Sequence, residues 1–256
     1  MLELNKIYLG DCLDLMPSIA DKSVSCILCD LPYGTTKNHW DSIIPLDKLW
    51  EQYKRIIKDD GAIVLFSQQP FTSMLVMSNP KMFKYEWIWE KDNGTGHLNS
   101  KFAPMKIHEN ICVFSKSAAS FVKDKSNAMV YNPQMQTGKP YTSKSGRPSN
   151  NYDAANCHQV VTENSGERYP VDIIKFNRDK EKLHPTAKPV ELCQYLIRTY
   201  TNENDVVLDN CFGSGSTIVA AIKEKRQYIG IEKDEHFFEI AKKRIENELQ
   251  QPKSLF

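Results

Sequence analysis

The chain has 256 residues, of which 41% are hydrophobic and 25% charged, and its formal net charge is +1. These values are typical of a globular protein that can bury one large core, and they do not by themselves indicate nucleic-acid binding. No apolar stretch approaches the roughly 20 residues that span a bilayer, and the first residues lack a signal-peptide pattern, so a cytoplasmic protein with no membrane partner is expected.

Strand and helix patterns alternate through the first 115 residues. Short continuous apolar runs indicate buried strands, and apolar residues three or four apart indicate the helices that cover them. Strands are predicted over residues 6–9, 24–29, 62–66, 85–89 and 111–114. Helices are predicted over residues 12–19, 46–57 and 71–77.

The alternation lapses between residues 115 and 183, where Asn, Ser, Gly, Pro, Lys and Tyr dominate. A structureless loop of this length is improbable in a compact domain, so a functional insertion or a small subdomain is expected. Helices then resume over residues 190–200, 216–225 and 236–249, with strands over 206–208 and 228–231. The whole pattern predicts an α/β fold whose sheet is mostly parallel, with helices on both faces.

Seven cysteines, an odd number, are scattered mostly through apolar runs. Cys26 and Cys29 form a C-x-x-C, but they lie within a predicted strand, where an extended chain points them to opposite faces. No second cysteine pair at zinc spacing completes a set of four ligands. Reduced core thiols are therefore predicted, and no metal site.

The segment Asp30-Leu31-Pro32-Tyr33 follows a buried strand, where ligands bind in open α/β folds. The Asp30 carboxylate and the Leu31 carbonyl offer two acceptors for an exocyclic amine, and they would stabilise the positive charge that develops on its nitrogen. Pro32 stiffens the corner, and Tyr33 can stack on a nucleobase that has left the helix. The alternative is an ordinary Asp-x-Pro-x-Gly turn.

A glycine-rich turn, with the sequence D-N-C-F-G-S-G-S-T over residues 209–217, joins a predicted strand to a predicted helix. Gly213 and Gly215 permit close backbone approach to a ligand, and Glu232 ends the next strand, where an acid can hold ribose hydroxyls. The turn lacks the G-x-G-x-x-G of a dinucleotide oxidoreductase and the Gly-Lys-Ser/Thr of a P-loop, and it could also be purely structural. A sulfonium cofactor whose ammonium pairs with Asp209 or Asp30 fits better.

Basic residues are concentrated between Lys91 and Arg147, a segment that contains nine Lys and Arg and three Asp and Glu. Such an excess can neutralise DNA phosphates and release counterions. A solvated loop surface is the alternative interpretation.

Three motifs resemble those of the β class of amino-methylating (N6-adenine/N4-cytosine) DNA methyltransferases. Asp30-Leu31-Pro32-Tyr33 is similar to the D-P-P-Y motif, residues 209–217 to the D-x-F-x-G-S-G-T-T loop, and residues 184–189, H-P-T-A-K-P, to H-P-T-Q-K-P. The departures at Leu31, Ala187 and Ser216 remove no charge. The resemblance implies a Rossmann-like S-adenosylmethionine-dependent methyltransferase fold with circularly permuted motif order.

The same resemblance assigns roles to individual residues. It implies that Asp30, Leu31, Pro32 and Tyr33 form the catalytic pocket. The residues that it places around S-adenosylmethionine are Asp11, Cys12, Asp30, His184, Thr186, Lys188, Asp209, Phe212, Gly213, Gly215, Ser216, Thr217 and Glu232. Among them, Asp11 would bind the adenine amino group, Glu232 the ribose, and Lys188 would approach the carboxylate tail. The segment His108-Glu109-Asn110 is similar to a structural motif near the base pocket.

The resemblance also implies an organisation and partners. Residues 1–115 would form the catalytic half, 116–183 a target-recognition insertion, and 184–256 the cofactor-binding half. The expected activity is methylation of N6 of a flipped adenine in double-stranded DNA, because the first motif residue is Asp, whereas N4-cytosine members more often begin with Ser. N4-cytosine methylation is the alternative, and a non-catalytic DNA-binding protein with a vestigial cofactor fold is a more distant one. A prokaryotic or phage origin, a homodimer and a restriction endonuclease partner are left open.

Overall fold

The computed structural model describes residues 1–34, 42–120, 128–145, 160–179 and 187–250. The chain divides into a main unit, Met1–Asn132 with Asp172–Phe256, and a small unit, Pro133–Val171. No helix within the described ranges is long and apolar enough to cross a membrane.

Twelve strands are present in the described part of the chain. In chain order they are β1 (Lys6–Leu9), β2 (Val24–Asp30), β3 (Ile57–Ser67), β4 (Phe83–Thr95), β5 (Lys106–Phe114), β6 (Gln136–Thr137), β7 (Tyr141–Ser145), β8 (Val160–Asn164), β9 (Glu167–Arg168), β10 (Ile173–Lys175), β11 (Val206–Asp209) and β12 (Gln227–Glu232). The α-helices among the same residues are α1 (Cys12–Leu15), α2 (Leu46–Ile56), α3 (Phe71–Ser78), α4 (Val190–Tyr200), α5 (Ser216–Lys223) and α6 (Glu235–Gln250).

The main unit is built on one sheet in the order β1-β12-β11-β2-β3-β5-β4-β10. Its paired strands are parallel except at β5, which runs antiparallel to both β3 and β4. The neighbouring strands β2 and β11 come from opposite ends of the sequence, with Cys26 opposite Val207 and Ile27 opposite Leu208. The mostly parallel α/β fold predicted from the sequence is confirmed.

Two hydrophobic cores cover the two faces of this sheet. Successive residues of β2 point alternately into one core and the other. Cys26 and Leu28 belong to the core that includes residues of α4, α5 and α6. Ile27 and Cys29 belong to the core that includes residues of α1, α2 and α3. The prediction that Cys26 and Cys29 point to opposite faces is therefore confirmed. Both thiols are free and buried.

Several elements differ from the sequence prediction. The predicted helix 12–19 is the single turn of α1 followed by a 3-10 helix over Met16–Ser18, because Pro17 has no amide hydrogen to continue the α-helical ladder. Strands β3, β4 and β5 extend beyond their apolar cores, and the periodicity gave no sign that β5 is antiparallel.

The small unit contains two antiparallel strand pairs, β6 with β9 and β7 with β8. The small unit covers fewer residues than the insertion expected over residues 116–183. Met129 and Ile174, near its two ends, are buried in a core of the main unit, and β10 adds an edge strand to the main sheet. The polar composition of this region gave no sign that Met129 and Ile174 are buried.

Candidate functional site

A cavity of about 540 Å³ lies in the main unit at the edge where the parallel strands end. Asp30 at the end of β2, Asp209 at the end of β11 and Glu232 at the end of β12 all contribute to its lining. The carboxyl ends of parallel strands share one sheet edge, so residues remote in sequence meet there. The catalytic motif and the glycine turn identified in the sequence thus line one cleft.

Asp30 makes two short contacts, one with each carboxylate oxygen. Tyr33 Oη donates to Oδ1 at 2.5 Å, and Lys188 Nζ donates to Oδ2 at 2.5 Å. The ring of Tyr33 lies 5.3 Å from that of Phe71 and is half-buried at the cavity wall. Leu31 is buried and Pro32 half-buried, and both line the cavity. The corner therefore presents a fixed carboxylate beside an aromatic face.

Four charges alternate in a row that ends at Asp30. Lys91 Nζ lies 2.5 Å from Glu109 Oε1, and Lys188 Nζ lies 3.3 Å from Glu109 Oε2 and 2.5 Å from Asp30 Oδ2. The two lysines and Glu109 are largely buried, whereas the Asp30 side chain is 26% exposed. Asp30 is therefore the most exposed member of the row, although Lys188 and Glu109 also line the cavity.

Burial and the neighbouring lysines act against each other in this row. Burial raises the pKa of Asp30, and the charge of Lys188 only partly offsets it, so the net shift is upward. Burial would also raise the pKa of Glu109, but the charges of Lys188 and Lys91 bring it below its ordinary value. Burial would lower the pKa of Lys188, yet Asp30 and Glu109 raise it overall. Lys188 is therefore a fixed cation beside a carboxylate that it helps to keep ionised.

The glycine turn approaches the cavity through its backbone. Gly213 has φ 51° and Gly215 has φ 82°, a region that disfavours side chains. A Cβ at Gly215 would lie 3.1 Å from the Cβ of Ala241 in α6, so this glycine also allows close helix packing. Gly213 lines the cavity and Gly215 does not, whereas Ser216 and Thr217, at the start of α5, line it again.

Asp209 is a buried carboxylate at the base of the turn. It is 3% exposed, and its Oδ1 accepts a hydrogen bond from the Cys211 amide at 3.1 Å. Burial raises the pKa of Asp209 to about 7, although hydrogen bonds from Cys211 and Thr217 oppose this shift. A cationic group entering the cavity would favour the ionised form of this carboxylate.

Glu232 accepts hydrogen bonds from three backbone amides. Its Oε2 accepts from Gly213 at 2.8 Å, and its Oε1 accepts from Lys233 at 2.9 Å and Asp234 at 2.8 Å. Burial raises the pKa of Glu232, and these amides oppose the shift. The carboxylate is thereby held in one orientation at the cavity wall.

Asp11 occupies the N-cap of α1, where its Oδ1 accepts from the Leu13 amide at 2.9 Å. Its Oδ2 lies 3.0 Å from the ammonium of Lys233. Burial would raise the pKa of Asp11, but the Leu13 amide and Lys233 lower it below its ordinary value. Asp11 and its neighbour Cys12 both line the cavity.

Most residues singled out in the sequence line this cavity. They are Asp11, Cys12, Asp30, Leu31, Pro32, Tyr33, Lys188, Asp209, Phe212, Gly213, Ser216, Thr217 and Glu232. His184 and Thr186 lie outside the described residues. Lys188 lines the cavity, but its ammonium contacts Asp30 and Glu109, which the sequence did not suggest.

Other lining residues had no assigned role in the sequence interpretation. Glu109 was noted only as part of a structural motif, and Phe237, Lys233 and Gln68 were not noted. A polar or charged residue directly after a buried strand was an available signal for Gln68 and Lys233. Phe237, in the first turn of α6, had no comparable signal because its spacing suits a core position equally well.

The basic segment is less uniform than its composition suggested. Lys91 is buried against Glu109, and Lys116 binds the Ile57 carbonyl and Asp59, so neither is free to meet phosphate. Lys101 and Lys106 are exposed in the main unit, and Lys139 and Lys144 belong to the small unit. Lys123, Lys125 and Arg147 lie outside the described residues.

The chain is similar in sequence and in fold to known DNA methylases. A family model described as DNA methylase matches residues 24–243. The type II methyltransferase M1.MboII of Moraxella bovis is 30% identical, over 90% of this chain and 92% of that protein. The DNA adenine methyltransferase YhdJ of Escherichia coli K12 is 24% identical, over 95% of this chain and 83% of that protein.

Solved structures share the fold across nearly the whole chain. The M1.HpyAVI–SAM complex is 22% identical with a TM-score of 0.60, covering 93% of this chain and 98% of that one. The PvuII DNA methyltransferase, described as cytosine-N4-specific, is 14% identical with a TM-score of 0.66, covering 97% and 92%. Adenine-directed and cytosine-directed proteins are thus both among the similar proteins.

Proposed function

We propose that this chain, which belongs to the DNA methylase family, transfers a methyl group from S-adenosylmethionine to N6 of an adenine extruded from double-stranded DNA. The observation that carries the proposal is the cleft in which Asp30, held between Tyr33 and Lys188, shares one lining with the glycine turn. A base amine and a methyl donor can meet only if both sites open into the same space.

The lining carries groups that suit each part of the cofactor. The Gly213 backbone lies open beside the oriented Glu232 carboxylate, which suits ribose hydroxyls. Asp209 is a buried carboxylate that suits the ammonium of the amino-acid tail, and Asp11 suits the adenine amino group. S-adenosylmethionine supplies an electrophilic methyl group. Phe212, Ser216, Thr217 and Cys12 complete this part of the proposed site.

Asp30 binds and orients the acceptor amine. Its Oδ1 and the Leu31 carbonyl accept the two N6 hydrogens, which directs the nitrogen lone pair towards the methyl donor. As the nitrogen–carbon bond forms and the carbon–sulfur bond breaks, positive charge develops on N6, and the carboxylate stabilises that charge. Asp30 can then take the proton that the methylated nitrogen releases. Tyr33 stacks on the base and keeps it in the cleft.

Lys188 keeps Asp30 in its reactive charge state. Without a nearby cation, burial would favour a protonated Asp30. The protonated carboxyl oxygen would then be a hydrogen-bond donor and could not accept an amine hydrogen. Lys188 occupies Oδ2 and leaves Oδ1 with only the Tyr33 hydroxyl to displace or share. Glu109 and Lys91 hold Lys188 in place from behind.

Adenine is favoured over cytosine by the aspartate at the first position of the catalytic motif. N4-cytosine methylation is the second candidate, because the fold is shared with a cytosine-N4-specific protein. The small unit, Pro133–Val171, is proposed to carry target recognition, with Lys139 and Lys144 as phosphate contacts. A homodimer and a restriction endonuclease partner stay open.

The test is label transfer from methyl-labelled S-adenosylmethionine to unmethylated duplex DNA, followed by nucleoside mass spectrometry. N6-methyladenine supports the proposal, whereas N4-methylcytosine supports the second candidate. Asp30→Asn should lower kcat about 10²–10³-fold while cofactor binding is retained. The control is Asp59→Asn, which removes a carboxylate from the exposed surface. DNA binding by the wild-type protein without any transfer would support the more distant alternative, a non-catalytic DNA-binding protein with a vestigial cofactor fold.

A further inference from the structure

The hairpin between β4 and β5 carries two large apolar side chains into solvent. Thr95 pairs with Lys106 near its end, and between them the chain turns through a 3-10 helix, His97–Asn99. Leu98 is 97% exposed and Phe102 is 90% exposed. Two such side chains on one short turn form an apolar tip.

This tip is ordered by its own backbone. The amide of Asn99 donates to Gly96 at 3.0 Å, and the amides of Phe102 and Ala103 both donate to Asn99 at 2.9 Å. Gly96, with φ 95°, begins the turn. The backbone thus holds the positions from which Leu98 and Phe102 project, so binding through them would cost little backbone ordering entropy.

The charge around the tip has one sign. From Asn93 to His108 the sequence contains two lysines and two histidines and no acid. Lys101 precedes Phe102 directly, and Lys101 and Lys106 are both exposed. An apolar tip between cations is complementary to DNA, where apolar side chains enter base steps and lysines meet the flanking phosphates.

The hairpin rises from the edge of the sheet that holds the cleft. Strand β4 runs in the same direction as β2, so its carboxyl end lies at the edge where Asp30 ends its own strand. Lys91 and Glu109, at the base of the hairpin, belong to the charge row that reaches Asp30. The tip and Asp30 therefore lie at the same edge of the sheet, which is the edge that DNA would approach to deliver a base.

We propose that the hairpin tip is a wedge that enters the base stack of duplex DNA, with Phe102 filling the space that the extruded base leaves and Leu98 packing beside it. The inference rests on the proposed function. Base extrusion costs unstacking energy, and an aromatic ring that replaces the lost stacking lowers that cost. A contact between two copies of this chain is the competing occupant, but it would bring two acid-free cationic tips together.

The test compares two substrates once the methylated sequence has been mapped. One duplex has the target base fully paired, and the other has it mismatched, so that it is already loosened in the stack. Phe102→Ala should lower kcat/KM on the paired duplex about 5- to 150-fold, the range for losing one base–aromatic stack. The loss on the mismatched duplex should be much smaller, and Phe102→Trp should restore activity on the paired one.

Met77→Ala is the matched control, because it removes another exposed apolar side chain, 72% exposed, from α3. It should leave both rates unchanged. An equal loss on the two duplexes, or none, would overturn the wedge. So would sedimentation that shows a wild-type dimer dissociated by Phe102→Ala. Failure of the proposed function looks different, since the wild-type protein would then methylate neither duplex.

Discussion

Replacing Asp209 by asparagine should raise stability at alkaline pH and weaken cofactor binding. Asp209 is 3% exposed, and its pKa in the folded protein is about 7, against 3.8 for an unperturbed aspartate. Between these two values the unfolded chain releases a proton that the folded chain keeps. Stability therefore falls as pH rises from about 4 to about 7 and is level above that.

The size of this effect follows from the separation of the two pKa values. Each unit corresponds to about 1.4 kcal/mol, so the buried Asp209 costs the folded state about 4 kcal/mol at pH 8, where it is ionised, and between 1 and 2 kcal/mol at about pH 5, where it stays protonated. The neutral amide that replaces the carboxylate would carry no such cost, and its oxygen could still accept the Cys211 amide hydrogen. The stability advantage of Asp209→Asn should therefore grow by about 3 kcal/mol between pH 5 and pH 8.

Urea denaturation of both proteins at pH 5 and pH 8 measures this difference. Asp205→Asn is the control. Burial would raise the pKa of Asp205, but hydrogen bonds and Lys58 lower it overall. The difference in free energy of unfolding between this variant and the wild type should therefore stay constant from pH 5 to pH 8. S-adenosylmethionine at about 100 times its Kd should stabilise the wild-type protein by about 2.7 kcal/mol, and the same concentration should stabilise Asp209→Asn less. A gap between wild type and Asp209→Asn that does not change with pH would refute the reasoning.

Three further substitutions test other parts of the cleft. Lys188→Met should move the acidic limb of the kcat/KM pH profile to higher pH, because Asp30 loses the cation that opposes its burial; an unmoved limb would contradict this. Glu232→Gln should weaken cofactor binding about 10- to 100-fold by calorimetry, since a charged acceptor of hydroxyl hydrogens becomes neutral, and unchanged affinity would remove Glu232 from the ribose site. Gly215→Ala should lower the free energy of unfolding in urea by about 1–3 kcal/mol, because residue 215 has a positive φ and lies close to Ala241. A denaturation midpoint equal to that of the wild type would contradict this.

The parts of the site that the sequence predicted are those that follow buried strands. Asp30, Asp209 and Glu232 each come directly after a continuous apolar run, and such runs predict parallel strands with a shared carboxyl edge. Their convergence on one cavity follows from that topology. The glycine turn was equally visible, because its residues must adopt conformations that few side chains allow.

The alternating charge row was not predictable in the same way. Lys91 and Glu109 lie on adjacent strands, and their pairing depends on β5 running antiparallel to β4, a direction that periodicity does not encode. Lys91 was therefore counted with the basic surface. The contact of Lys188 with Asp30 joins residues 158 positions apart and required the three-dimensional fold.

The pairing of β2 with β11 has a consequence for how the protein forms during synthesis. The ribosome produces β2 early and its neighbour β3 soon after, but β11, the neighbour on the other side of β2, appears only about 180 residues later, after roughly ten seconds or more at typical translation rates. A nascent chain therefore exposes an apolar edge throughout that interval and gains a complete cleft only near the end. Chaperones that shield such edges during translation would affect the yield of this protein more than that of a chain in which both neighbours of each inner strand are close to it in sequence.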